Sequence, residues 1–115
     1  MLGLLHGQRG EHEAALARYR RALQARPDFV EAGVNLGVTL EWLGQRDAAI
    51  AAYRAVLEHH PDHTMARYNL AVSLSRAGQR DAALAEVRAV LQREPEHPDA
   101  RRLLAALEAP PADGK

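Results

Sequence analysis

The chain of 115 residues contains no cysteine, one phenylalanine, one tryptophan, and no excess of charge of either sign. Without cysteine it cannot form disulfides, carry out thiol catalysis or bind a metal through thiolates. Its 15 basic and 15 acidic residues balance at pH 7, so no global field attracts nucleic acid or an anionic membrane. We therefore expect neither nucleic acid nor a membrane as a partner.

Long apolar runs are also missing. The first apolar stretch, residues 2–5, is shorter than the hydrophobic region of a signal peptide, and no run is long enough to span a bilayer. These features favour a cytoplasmic protein. Arginine far outnumbers lysine, since Lys115 is the only lysine, and alanine is abundant, which together are typical of a GC-rich bacterial genome.

Proline and glycine each recur at a spacing of 34 residues. The repeated residues are Pro27, Pro61 and Pro95, with Gly10, Gly44 and Gly78. Proline stops a helix because it has no amide donor, whereas glycine readily adopts the left-handed conformation that closes a helix. The pattern therefore predicts alternating helices and turns, in an array of helix pairs rather than a globular domain.

Leucine, small and aromatic residues repeat at the same spacing. The aligned columns are Leu2, Leu36, Leu70 and Leu104; Gly3, Gly37, Ala71 and Ala105; Ala15, Ala49 and Ala83; Tyr19, Tyr53 and Val87; Ala22, Val56 and Val90. These columns resemble the tetratricopeptide repeat, in which leucine and a small residue mark the first helix and alanine, an aromatic residue, alanine and proline mark the second. The resemblance implies an all-α fold, an α-solenoid of antiparallel helix pairs with a C-terminal capping helix.

The resemblance also divides the chain into repeats. We expect an incomplete first repeat at 1–29, full repeats at 30–63 and 64–97, a capping helix at 98–109 and a disordered tail at 110–115. The first helix should be short, Leu2–Gln8, and end at the turn of Gly10. Within the second repeat, Gly37 should face Ala49 where the two helices cross, because only small residues allow such close approach.

The incomplete first repeat has a consequence for association. A short first helix would leave part of the apolar stripe of Leu16, Tyr19 and Leu23 uncovered. Exposed apolar patches tend to find partners, so we expect a homodimer through the N-terminal repeat.

A ligand groove is implied along the first helices of the pairs. The groove residues carried over from the family are Val34, Asn35, Val38, Trp42, Tyr68, Asn69, Val72, Arg76 and Arg102. Asn35 and Asn69 lie one repeat apart, and amide side chains can hold a peptide backbone because they both donate and accept. The pair resembles the asparagine ladder in the superhelix of O-linked N-acetylglucosamine transferase. Asparagine at this position is also typical of a bond between neighbouring helices.

Two other groove residues allow alternatives. Trp42 lies outside the family's usual tryptophan column and could anchor a ligand or form an inter-repeat contact stacked by Arg76. Arg76 and Arg102 could each bind a carboxylate, or be solvated surface residues. The family's clamp for C-terminal carboxylates is missing, because Val34 and Val38 fill the corresponding places.

The sequence contains no pattern typical of a metal site or of a catalytic site. His59, His60 and His63 are close in sequence, but Pro61 breaks the helix between them, so regular i, i+4 ligand geometry is lost. No serine, Ser73 included, lies in the sequence context of a nucleophile elbow. We expect no metal, no cofactor and no enzymatic activity.

These observations predict a binding module, a scaffold for an extended peptide or protein segment lying in the concave groove. Two alternatives remain open. The chain could be a self-assembly element, or an accessory repeat domain of a larger enzyme such as a glycosyltransferase.

Overall fold

The computed structural model describes the backbone of residues 2–109 and the side chains of residues 9–109. This part of the chain contains helices and no strand, which confirms the all-α prediction. The six helices are α1 (Leu2–Ala25), α2 (Val30–Trp42), α3 (Arg46–His59), α4 (Thr64–Arg76), α5 (Arg80–Arg93) and α6 (Pro98–Glu108). Each helix packs against the next, and α4 also contacts α6. The result is a solenoid of antiparallel pairs.

Glycine ends the first helix of each full repeat, as predicted. Gly44 and Gly78 have φ angles of +78° and +81°, the left-handed region in which glycine is unstrained. The left-handed residue directs the next amide back onto the helix, where Gln45 N donates to the Leu40 carbonyl at 2.8 Å. Such bonds satisfy carbonyls that would otherwise lack a partner at the helix end.

Histidine caps the start of two helices, a feature that the sequence analysis missed. His63 Nδ1 accepts from Ala66 N at 3.1 Å before α4, and His97 Nδ1 accepts from Ala100 N at 3.0 Å before α6. His63 and His97 lie 34 residues apart, whereas Phe29, at the equivalent position before α2, forms no side-chain cap. Both rings carry their proton on Nε2 in this arrangement, because Nδ1 must accept.

One continuous hydrophobic core runs through the stack. It draws buried side chains from every helix, among them Leu16, Leu40, Ile50, Leu70, Leu74, Leu84, Val87, Val90 and Leu107. A second, smaller cluster of Val34, Val56 and Ala66 lies beside it. Because every helix contributes one stripe, each pair depends on its neighbours for burial.

Within the second repeat, Gly37 lies against the ring of Tyr53. A Cβ added at Gly37 would lie 2.6 Å from Tyr53 Cζ and 2.8 Å from Tyr53 Cδ1. The atoms nearest to Gly37 therefore belong to the Tyr53 ring rather than to Ala49. Ala49 is fully buried in the same core, but the aromatic ring, four residues further along α3, occupies the space over the glycine.

Helix α1 contradicts the predicted turn at Gly10. It is one continuous helix through Gly10, so a separate helix ending near Gln8 does not exist. A glycine inside a helix costs only about 1 kcal/mol relative to alanine. Folding back a two-turn segment would break several helical hydrogen bonds for little burial, so the helix continues.

The apolar stripe of Leu16, Tyr19 and Leu23 on α1 is partly covered. Leu16 is buried, with 2% of its surface exposed, and belongs to the main core. Tyr19 and Leu23 are half-buried. The part of the stripe that retains exposed surface is therefore at Tyr19 and Leu23, and Leu16 does not contribute to it.

No helix within residues 2–109 combines the length and apolar character needed to span a bilayer. The predicted tail at 110–115 lies outside the described residues.

Candidate ligand-binding groove

A pocket of about 560 Å³ lies among α2, α3 and α4. Its lining residues, called the groove pocket below, are Val38, Glu41, Trp42, Tyr53, Tyr68, Asn69, Val72, Ser73 and Arg76. Six of the nine predicted site residues are among them. The pocket forms because α2 and α4 are the first helices of adjacent repeats and both present their concave side to the same space.

Three predicted site residues lie outside the groove pocket. Val34 is buried in the smaller core cluster, so it supports the fold. Asn35 is exposed on α2 but does not line the pocket. Arg102 is exposed on α6, where its guanidinium pairs with the Asp99 carboxylate. Of the two predicted asparagine rungs, the pocket includes only Asn69.

Among the side chains of residues 9–109, Trp42 is the most exposed large apolar one, with 72% of its surface accessible. Its ring stacks on His12 of α1, with centroids 5.7 Å apart and an interplanar angle of 24°. The structure therefore contains an inter-repeat contact at Trp42, but the partner is His12 rather than Arg76. The indole also lines the pocket, so the stack holds it in place beside the pocket space.

A polar network connects the repeats at one side of the pocket. Glu41 Oε2 accepts from the buried Ser73 hydroxyl, and Glu41 Oε1 lies 3.4 Å from Arg46 Nε. Arg46 Nη1 in turn donates to the Arg76 carbonyl at 3.3 Å. The Glu41 carboxylate is thus already compensated within the protein. Sequence reasoning had considered Ser73 only as a nucleophile, because a bond across 32 residues leaves no local pattern.

Two tyrosines keep neutral phenols in this region. Burial, reinforced by Glu41, raises the pKa of Tyr53 to about 12, and Arg76 opposes the shift. Burial also raises the pKa of Tyr68, with a further contribution from Asp99. Both phenols are therefore protonated at neutral pH, so neither adds negative charge to the pocket.

The histidines serve structural contacts. His60 Nε2 lies 3.0 Å from the Asp28 carbonyl, which connects the ends of two repeats. The His97 ring packs against Tyr68 with centroids 5.2 Å apart, so the cap of α6 also supports a pocket residue. Within the described residues, no three histidine, aspartate or glutamate side chains gather in an arrangement that could hold a metal ion.

Solved structures share this architecture. A double mutant of MamA is 28% identical, with a TM-score of 0.79 over 87% of this chain, and this chain spans 56% of the MamA chain. The first tetratricopeptide domain of Spaghetti (RPAP3), bound to the HSP90 peptide SRMEEVD, is 17% identical, with a TM-score of 0.80 over 91% of this chain and 83% of that chain.

The Yersinia enterocolitica type III secretion chaperone SycD, in complex with a peptide of the translocator YopD, is 18% identical. Its TM-score is 0.78, over 93% of this chain and 87% of that chain. At 17–18% identity, the likeness of RPAP3 and SycD shows the fold alone.

Curated protein sequences gave no significant match. The family profile described as tetratricopeptide repeat matches residues 43–107, more than half of the chain, and a second TPR repeat profile matches residues 3–44. The chain therefore belongs to the tetratricopeptide repeat family.

Proposed function

We propose that the chain is a protein-interaction module that holds an extended peptide or protein segment in the groove pocket. The observation that supports this function is the presence of an exposed indole, an amide and a cation around one concavity, supplied by Trp42, Asn69 and Arg76. Pockets that bind ligands combine apolar walls with a few convergent polar groups.

The apolar walls suit a side chain of the ligand. The described residues include three exposed large apolar side chains, and two of them, Trp42 and Val38, line the pocket. Val72 adds a half-buried apolar surface across from them. A concentration of exposed apolar surface in a concavity favours a binding role, and a tryptophan held by a stack loses little entropy when a ligand covers it.

The polar groups of the pocket determine which ligand residue can bind next to that apolar side chain. Among the described side chains none forms an ion pair with the Arg76 guanidinium, whereas the Glu41 carboxylate is engaged by Ser73 and Arg46. An incoming carboxylate therefore meets a cation that has no internal competitor. Asn69 offers a donor and an acceptor to a peptide bond. The preferred segment has an apolar residue against Trp42 and an acidic residue next to it.

The structural neighbours support the same class of function. The RPAP3 domain and SycD were each solved with a peptide of another protein, on the fold described here. Their identity to this chain is too low to transfer any residue's role. They support peptide recognition as a use of this architecture.

Selection from a random peptide library, followed by calorimetric titration of the hits, tests the proposal. We expect Trp42→Ala to weaken binding about tenfold or more by removing the apolar anchor. Asn69→Ala should weaken unrelated peptides by a similar factor of about 2 to 12, because a backbone hydrogen bond contributes about 0.5–1.5 kcal/mol.

Arg76→Ala should weaken acidic peptides selectively. Arg54→Ala is the matched control, since it removes an exposed arginine from the outer helix α3. Thermal midpoints verify that each variant is folded. Unchanged affinity in folded Trp42→Ala and Asn69→Ala would show that binding does not use this pocket.

A further inference from the structure

Tyr53 has a buried ring but a hydroxyl that the fold does not use. Only 2% of the residue is exposed, and it lines the groove pocket. Among residues 9–109, no hydrogen bond involves Tyr53 Oη, and no buried polar side-chain atom lacks a partner. The oxygen is therefore not sealed in the core. Since the residue is otherwise covered, its hydroxyl reaches solvent at the groove pocket.

The repeat shows that this position packs without a hydroxyl. The Tyr53 ring lies against Gly37 of α2. The next residue in the same column, Val87, is fully buried and fills its place with an apolar side chain alone. Packing in this column therefore does not need the Tyr53 O–H, which leaves it available to a ligand.

Three further polar side chains of the pocket are uncommitted in the same way. Within the described part of the chain, no hydrogen bond involves the side chains of Tyr68, Asn69 or Arg76, and the Arg76 bond to α3 uses its carbonyl. By contrast, the Glu41 carboxylate and the Ser73 hydroxyl are bonded to each other. The pocket thus engages its own carboxylate and leaves other polar groups to a ligand.

The uncommitted groups include three strong donors. Burial raises the pKa of Tyr53 to about 12 and also raises the pKa of Tyr68, so both phenols keep a proton to donate at neutral pH. The Arg76 guanidinium can only donate. An acceptor with several lone pairs is the complement of such a set.

The charge of the pocket favours a single negative charge on the ligand. Glu41 is paired with Arg46, which leaves the Arg76 guanidinium as the pocket charge without a counterpart among the described side chains. One carboxylate neutralises this guanidinium. A phosphate carries about two negative charges and would leave an excess beside Glu41.

We propose that Tyr53 is a ligand-binding residue, which donates a hydrogen bond to an aspartate or glutamate carboxylate of the bound segment together with Tyr68 and Arg76. This inference rests on the proposed function, because it names the groups that receive the acidic residue of the ligand. A carboxylate has two oxygens with about four lone-pair sites, enough for both phenols and the guanidinium. Asn69 stays free for the peptide backbone.

The test compares two peptides on two proteins. A library-selected peptide with a single glutamate is prepared with both ends blocked, and again with glutamine in place of that glutamate. Trp42 is the only tryptophan of the chain and lines the pocket, so its emission reports binding there. Tyr53→Phe should weaken the glutamate peptide about tenfold and the glutamine peptide about threefold, because a bond to an ionised acceptor is about twice as strong.

Tyr19→Phe is the matched control. It removes the same hydroxyl from the same column of the repeat, at a residue that does not line the pocket. Both peptides should bind this variant as they bind the wild type. The thermal midpoint of Tyr53→Phe without peptide should not fall, because the lost hydroxyl has no partner within residues 9–109.

Several results would overturn the role of Tyr53 while leaving the proposed function in place. They are an equal effect of Tyr53→Phe on both peptides, a lower thermal midpoint of this variant, and the absence of acidic residues from the selected peptides. Tighter binding of a phosphoserine version than of the glutamate peptide would overturn the choice of a carboxylate. Peptides that bind without changing the emission of Trp42 would contradict the proposed function as well.

Discussion

The contact between Gly37 and Tyr53 allows a quantitative prediction. In Gly37→Ala, the new Cβ would lie 2.6 Å from Tyr53 Cζ, so the ring has to move. Tyr53 is only 2% exposed, so a shift of its ring disturbs the packing of the core. Overpacking in a core costs about 1–3 kcal/mol, and the gain in helix propensity returns about 1 kcal/mol. We expect a net loss of about 0–2 kcal/mol in the free energy of unfolding, in place of the gain that helix propensity alone would give.

The third repeat supplies the compensating change. It has Ala71 and Val87 in the two columns occupied by Gly37 and Tyr53, and both are fully buried. The double variant Gly37→Ala/Tyr53→Val should therefore be more stable than the sum of the single variants predicts. We expect a coupling of about 1–2 kcal/mol, because the two residues are in direct contact.

Gly10→Ala is the control for the effect of helix propensity alone. A Cβ at Gly10 has no neighbour within 4 Å, and Gly10 lies inside α1. Alanine should stabilise the protein there by about 1 kcal/mol. Urea unfolding followed by circular dichroism measures all four variants. Additive effects in the double variant, or a gain in Gly37→Ala equal to that in Gly10→Ala, would refute the steric argument.

Two further predictions concern the histidine cap and the buried phenol. His97→Ala removes an N-cap worth about 1 kcal/mol and a ring contact with Tyr68 worth about 0.5–1.5 kcal/mol. His63→Ala removes only the cap, so the His97→Ala variant should have the lower thermal midpoint. Equal midpoints would contradict a stabilising ring contact. Because the pKa of Tyr53 is raised to about 12, its phenol ionises first in the unfolded chain, so stability should fall as the pH rises from about 10 to 12, by roughly 3 kcal/mol at most. Urea unfolding across this range should show a weaker pH dependence in Tyr53→Phe, and an identical slope would contradict the assignment.

Local rules explain why most of the fold could be predicted. The glycines at 44 and 78 end helices because their left-handed conformation is a property of the residue itself. Gly10 occupies the same column, yet α1 continues through it. A turn forms only when the helix on each side has something to pack against. That condition depends on tertiary contacts, which a repeat alignment does not contain.

The candidate site also has residues that could be predicted from the sequence and contacts that could not. Val38, Trp42, Tyr68, Asn69, Val72 and Arg76 could be placed together because they follow the helical period on two aligned helices. The bond between Glu41 and Ser73 could not, since it joins residues from different repeats. The histidine caps were missed for another reason. Helix starts are usually recognised by serine, threonine, aspartate or asparagine, and imidazole is not among these residues.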